Sequence, residues 1–387
     1  MFVNPKYVDL FQEKFGIPPK RIVLSPYRIC PFGAHIDSQD AQIASFCIDK
    51  GISLYYTICS DSEDKISTIY SVDFDDTLEI SSNPFIDYQS EHEPWKKYFM
   101  ALLRSLIVYG YSYHHIKALI VGDFPIGGLG SSAATLKAYM RAMCTSYDNI
   151  HLRGVENQYL GVRSGFLDYE ASTYGLPNSI VFSNGQHRDI IYKHTECPDF
   201  EILLFSNGTN RLLTKTDFSS KVNMYPHIIT EIQAIMRYEH PVQKLSSIPY
   251  QDFQAALPYM KNIKQAIHFY NECGNVAKGR VAWAYGDMEA VGEATNNSCH
   301  SSLYFYESGT DEFKFLYNLT NKMPGIYGGR FCGGGYGGAY FWFIKPEQKE
   351  EVRNTIKEKF LETFPQYTDT IRLEFCKMGT RLASFLL

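Results

Sequence analysis

The sequence predicts an α+β protein of two domains, and three observations carry that prediction. Strand-like and helix-like segments interleave along the whole 387-residue chain. Its 45% hydrophobic and 20% charged composition supplies ample material for a large core. No repeat, low-complexity segment or obvious linker interrupts the alternation. A soft boundary near residue 195 divides a first domain, 1–195, from a second, 196–387.

Residues 22–25 form a short apolar run, and the stretch behind them, YRICPFGAHID, brings Arg28, His35 and Asp37 together on one loop with the bare methyl of Ala34 between them. Residues 94–110 predict a helix. Pro94 suits a first turn, Trp95, Tyr98, Phe99, Leu102, Leu103 and Leu106 recur at helical spacing, and Gly110 can close it. Residues 116–121 then read as a strand, and residues 131–147 as a helix with Ala133, Leu136, Met140 and Met143 on one stripe. Pro226 opens a further helical stripe through Ile228, Ile229, Ile232 and Met236; residues 262–272 and 311–322 look helical, and 339–344 strand-like.

Charge and cysteine usage narrow the class. A net charge of -5 with scattered basic residues excludes a nucleic-acid surface and favours small-molecule ligands. Nine cysteines, an odd number without a C-x-x-C pair, argue against a disulfide framework or a cysteine-rich metal site and read as buried thiols of a reducing cytoplasm. The opening residues have no apolar signal-like core, and no apolar run reaches membrane-spanning length. The expectation is a soluble cytoplasmic protein, monomeric or weakly oligomeric.

Between strand 116–121 and helix 131–147 lies the strongest chemical signal, DFPIGGLGSSAA at 123–134. Gly127, Gly128 and Gly130 let main-chain N–H groups approach a ligand, and the following helix offers unpaired amides and a positive dipole end. Such a loop suits phosphate, although Ser131 and Ser132 could equally be plain helix caps. The spacing Gly128, Gly130, Ala133 also fits a dinucleotide fingerprint, but residues 147–151 lack the strand that a dehydrogenase fold would need next. A second run, Tyr327 to Gly338, is so dense in glycine (Gly333, Gly334, Gly335 and Gly337 among them) that close backbone approach is implied, to a ligand or to another part of the chain.

In this order the segments resemble the GHMP kinase superfamily, and within it the galactokinases. Residues 26–37 resemble the family's P-G-R-V-N-L-I-G-E-H-T-D signature, 125–133 its P-x-G-x-G-L-[SG]-S-S-A phosphate loop, and 327–338 its Y-G-x-R-x-x-G-G-G-F-G-G motif. Residues 159–168 and 298–303 resemble two further segments, so the likeness spans nearly the whole chain. The resemblance implies a domain like the second domain of ribosomal protein S5 followed by a ferredoxin-like domain, with ATP and sugar in the cleft between them. It implies Asp168 as general base with Arg28 as its partner, Mg²⁺ on Ser132 and Glu156, and sugar contacts from Ala34, His35, Asp37, Gly165 and Phe218. ATP would lie on Pro125, Gly127, Gly128, Leu129, Gly130, Ser131, Ser132 and Ala133, with Gly333, Gly334, Gly335 and Gly337 opposite.

Ala34 departs from galactokinases, which carry a glutamate there facing the sugar 6-hydroxyl. A carboxylate at C6 would be repelled by that glutamate: two like charges about 5 Å apart at an effective dielectric near 20 cost roughly 3 kcal/mol, more than 10²-fold in affinity. The signature, together with Tyr306-Glu307-Ser308-Gly309, resembles the galacturonokinase branch more closely, implying transfer from ATP to O1 of D-galacturonate. Two other departures are Tyr169, where galactokinases have glutamine after the base, and Phe218, where they have a sugar-contacting tyrosine. The C6 carboxylate would need a cation, with Arg163, Arg211, Lys215 and Lys221 as candidates. Alternatives are a galactokinase, a glucuronate kinase and a catalytically silent sugar and nucleotide sensor.

Overall fold

In the computed structural model the described residues are 3–60, 65–125, 127–144, 146, 148–162, 164–209 and 218–387, and the architecture is α+β. The chain runs α1 (Pro5–Phe15), β1 (Arg21–Ile29), β2 (Ile43–Ile58), β3 (Ile66–Ser71), β4 (Asp76–Ser81), α2 (Pro94–Val108), β5 (Ile116–Gly122), α3 (Ser131–Met143), α4 (Asn149–Gly154), α5 (Leu167–Tyr174), β6 (Ser179–Ser183) and β7 (Arg188–Tyr192). It continues with β8 (Glu201–Ser206), α6 (Phe218–Met236), α7 (Tyr250–Ala256), α8 (Lys264–Tyr285), α9 (Met288–Tyr304), α10 (Asp311–Thr320), β9 (Ile326–Phe331), β10 (Ala339–Ile344), α11 (Lys349–Thr363), β11 (Arg372–Cys376) and β12 (Ala383–Leu386).

Two sheets organise these elements. The larger has eight strands in the order β12-β1-β2-β5-β3-β4, with β6 and β7 continuing from the start of β2. The smaller is β11-β8-β10-β9, antiparallel throughout. Strand β12 returns from the far end of the chain to pair with β1, Arg21 opposite Leu386 and Leu24 opposite Ala383. Helix α3 packs over β1 and β2, α5 against β1, β2 and β6, and α9 against β9.

Helix α2 follows its sequence pattern, with Pro94 in the first turn and Trp95, Phe99, Leu102, Leu103 and Leu106 buried. Four other features differ from expectation. Helix α3 stops at Met143, short of 147, and Arg28 sits on strand β1 rather than on a loop. Helix α6 begins at Phe218, so Pro226 lies inside it: the burial of Tyr225, Ile228, Ile229 and Ile232 against Phe253 and Phe269 outweighs the backbone bond that proline removes. Helix α8 continues to Tyr285, past the expected end at 272 and through Gly274 and Gly279. Gly279 is there for packing, because a Cβ on it would stand 2.3 Å from Cζ of Phe32. All nine cysteines are free, and no helix among the described residues is long and apolar enough to cross a membrane.

Candidate active site

Both glycine runs and the Arg28–Asp37 stretch converge on one cavity of about 540 Å³. Its wall includes Arg28, Ala34, His35, Asp37, Gly127, Gly128, Gly130, Ser131, Ser132, Glu156, Gly165, Asp168, Gly333, Gly334, Gly335 and Gly337. Pro125 is outside the lining, and Leu129 and Ala133 are fully buried in the main core beneath the loop. The side chain of Phe218 lies outside the described residues, as do Arg163, Arg211 and Lys215.

Main-chain proximity explains the glycines. Gly128 has φ +75°, and a Cβ there would meet the Cys332 carbonyl oxygen at 2.5 Å; one on Gly333 would meet the Gly128 Cα at 2.6 Å, and one on Gly338 the Gly127 carbonyl at 2.7 Å. The two loops therefore lie back to back. Close approach of chain to chain accounts for these positions, while Gly334, Gly335 and Gly337 still face the cavity. Gly128→Ala must separate the loops, in a conformation that L side chains rarely adopt. We expect it to lower the melting temperature and to weaken nucleotide binding about tenfold, roughly 1.4 kcal/mol, in a calorimetric titration.

The serines are not caps. Gly130, in the left-handed region, is the N-cap of α3, and neither Ser131 nor Ser132 bonds to the helix's free amides. Ser132 instead donates to Glu156 Oε1 at 2.7 Å, and the Tyr169 hydroxyl donates to Oε2 at 2.8 Å. Glu156 sits on a single π turn, Val155–Tyr159, and is 1% exposed. Burial and then the neighbouring Asp168 raise its pKa. The paired hydroxyl and carboxylate are hard oxygen donors at the cavity wall, and a divalent cation would relieve the strained charge of that buried carboxylate, so the donor set fits magnesium completed by phosphate and water. Among the described residues, no cluster of three or more His, Cys, Asp or Glu side chains forms an all-protein metal cage.

Asp168, on the first turn of α5, meets the buried Arg28: Nε donates to Oδ1 at 2.7 Å and Nη2 stands 2.5 Å from the same oxygen. The third guanidinium nitrogen, Nη1, donates to the Gly128 carbonyl at 2.5 Å, tying base, arginine and phosphate loop together. Burial opposes the arginine's charge, but Asp168 and two nearby thiols raise its pKa overall. A Cβ on Gly130 would lie 3.4 Å from the Asp168 carboxyl carbon, so this glycine keeps the carboxylate beside the loop.

The opposite wall is clamped from α8 and α9. Buried Glu272 accepts from the main-chain N–H of Gly33 at 2.6 Å and of Ala34 at 2.9 Å, and from Ser298 Oγ at 2.7 Å. His268 donates from Nε2 to the Ala34 carbonyl at 3.0 Å, which leaves Nδ1 to accept from Ser301 Oγ. Burial holds His268 and His35 below the ordinary histidine pKa, and His35 stacks flat on Tyr306 with ring centroids 4.3 Å apart. Asp37 accepts from the main-chain N–H groups of Ser38 and Leu167, and a Cβ on Gly165 would fall 1.8 Å from its Oδ2. Lys221, one of the candidate cations for a C6 carboxylate, is 9% exposed, donates to the Glu307 carbonyl and approaches the rings of Tyr306 and Tyr336. Buried Arg330 joins it as a second cation whose charge reaches His35.

Glu272, His268 and Arg330 were not legible as site residues, nor was the far end of the cavity at Phe74, Gln89, Glu91, His92, Trp95, Lys97 and Tyr98. Trp95 and Tyr98 read simply as part of a helical core stripe. Arg330 stood inside the second glycine run, which was the one available signal.

No family model matches the chain. It is 28% identical over 381 residues to the galacturonokinase of Arabidopsis thaliana, covering 91% of this chain and 89% of that protein. It is 22% identical over 365 residues to a galactokinase of Limosilactobacillus fermentum, covering 92% and 93%. Among solved structures, Lactococcus lactis galactokinase complexed with galactose superposes with a TM-score of 0.82 at 21% identity over 98% of this chain and 99% of that one. The mevalonate kinase of Methanococcus jannaschii superposes with a TM-score of 0.59 at 15% identity over 94% and 99%. The fold is that of the GHMP kinases, a class of ATP-dependent phosphotransferases. In sequence the chain is similar to galacturonokinase and to galactokinases.

Proposed function

We propose that this protein is a sugar 1-kinase that transfers the γ-phosphoryl group of ATP to the anomeric oxygen of D-galacturonate, giving the sugar 1-phosphate and ADP. The observation that carries the reading is the Asp168 carboxylate, held by Arg28 against Gly130 of the phosphate loop. Phosphoryl transfer through a loose transition state asks mainly for positioning and for charge stabilisation. Asp168 takes the anomeric proton as O1 bonds to the γ-phosphorus and the bond to the bridging oxygen of ADP breaks. Arg28 offsets the negative charge on both carboxylate and entering oxygen. The amides of 127–132 and of 333–337 face the phosphates, and Ser132 and Glu156 would hold Mg²⁺, which supplies charge neutralisation on the phosphate oxygens. Phe74 and Trp95, with rings 21° apart in plane, suit the nucleotide base at the far end. His35, held neutral, and Asp37 would take sugar hydroxyls.

The choice of uronate rests on Ala34, 4% exposed at the cavity wall, with Arg330 and Lys221 giving that end a positive field. The nine free thiols suit a reducing cytoplasm. The test is ADP release across hexoses and hexuronates. We expect kcat/KM for galacturonate to exceed that for galactose, because Ala34 leaves no carboxylate to repel C6 and the field of Arg330 and Lys221 favours a negative charge there. Equal turnover would make the protein a galactokinase, and sugar binding without ADP release would make it a silent sensor.

A further inference from the structure

Helix α5, which carries Asp168, is only eight residues long and has little apolar surface to hold it. Polar ties add to its packing on the sheet. Asp168 is held by Arg28 of β1, the Tyr169 hydroxyl by Glu156, and the Ala171 carbonyl by the Cys47 thiol of β2. Glu170 is gripped by both Nε and Nη2 of Arg188 at 2.8 and 3.0 Å. The remaining tie comes from inside the protein. Lys137 of α3 is 0% exposed, and its ammonium donates to Ser172 Oγ at 3.0 Å, to Thr173 Oγ1, and at 3.4 Å to the Tyr169 carbonyl. Ser172 Oγ in turn donates to the main-chain carbonyl of Asp168 at 2.9 Å.

We infer that Lys137 is a positioning residue for the general base, its buried ammonium pinning the inner face of α5 so that Asp168 stays beside the phosphate loop. The inference rests on the sugar-kinase reading for its catalytic half only. An ammonium is costly at such a site, since a methionine would fill the same volume without desolvating a charge. Burial accordingly pushes its pKa down to about 7, against which the Cys47 and Glu170 side chains, the titratable groups that face it, pull only weakly. A site that places a titratable amine there at that cost uses its donors. When protonated, its three donors meet the Tyr169 carbonyl and the hydroxyls of Ser172 and Thr173, the latter two in the last turn of a helix whose carbonyl end favours a cation.

Two measurements on Lys137→Met test this, beside the wild type and Ser172→Ala, which keeps the amine but removes its link to the Asp168 carbonyl. Hydrogen exchange needs no substrate. Amides of 167–174 should exchange about tenfold faster in Lys137→Met while those of α2 are unchanged, as loss of a local tie predicts. Sugar phosphorylation should show kcat reduced about tenfold with KM for ATP within twofold, the signature of a misplaced base and not of a damaged nucleotide site. Ser172→Ala should move both in the same direction by about threefold, and decides the matter if Lys137→Met does not fold. Unchanged exchange, or unchanged kcat in an active enzyme, overturns the inference. Wild-type protein that phosphorylates no sugar overturns the sugar-kinase reading instead, leaving the exchange result to judge the anchor.

Discussion

Asp168→Asn should abolish nearly all sugar phosphorylation while leaving the protein folded and able to bind nucleotide. The substitution keeps the shape and an acceptor oxygen for Arg28 but cannot take the anomeric proton. General-base loss of this kind costs about 10²- to 10⁴-fold, and we expect kcat to fall within that range with KM for ATP nearly unchanged. Some stability should go too, because the buried guanidinium loses its counter-charge while keeping the Gly128 carbonyl. Arg28→Met is the complementary variant, and it should combine a similar kcat loss with a weakened phosphate loop. Retention of wild-type turnover in Asp168→Asn, measured by coupled ADP release, would remove the carboxylate from the mechanism.

Ala34→Glu should exchange one substrate preference for the other. The main chain at 33–34 is fixed from below by Glu272 and His268, so a longer side chain at 34 has only the cavity to enter. There its carboxylate would face a substrate carboxylate about 5 Å away, a repulsion of roughly 3 kcal/mol at an effective dielectric of 20. We expect kcat/KM for galacturonate to drop about 10²-fold and that for galactose to hold or rise, the new group being able to accept from a 6-hydroxyl. Buried Arg330 lines the same cavity and would offset part of the added charge, which makes this magnitude an upper value. A uniform fall for both sugars would mean that residue 34 shapes the pocket without reading C6.

The chemistry was more legible in the sequence than the reasons for its placement. Strand, glycine loop and helix at 116–143 were readable because glycine, proline and apolar spacing are local signals. The interleaving that marks the α+β class was readable for the same reason. The distinction between a capping serine and one that reaches Glu156 was not, since it depends on where a segment two dozen residues on folds back. The glycines at 128 and 333 exclude side chains against each other, a contact between distant parts of the chain that no window of sequence contains. Lys137 is harder still: within Thr135-Leu136-Lys137-Ala138-Tyr139 it reads as the exposed member of a helical stripe, yet α3 is buried on every side here. Helix α8 runs well past the expected 262–272, and its Gly279, locally a weak helix former, is demanded by the Phe32 ring from a distant part of the chain.

The pairing of β12 with β1 has a consequence for biosynthesis. Arg28 lies on a strand one of whose flanking neighbours, Ala383–Leu386, leaves the ribosome only after everything else described has been made. A nascent chain can assemble the opposite flank of β1 against β2 early, but the outer flank waits for residues 383–386, so one row of main-chain donors and acceptors stays open while the intervening chain is made. That interval is when this protein is most exposed to adhesion with its neighbours on a polysome, and when a chaperone that shields strand edges would matter most.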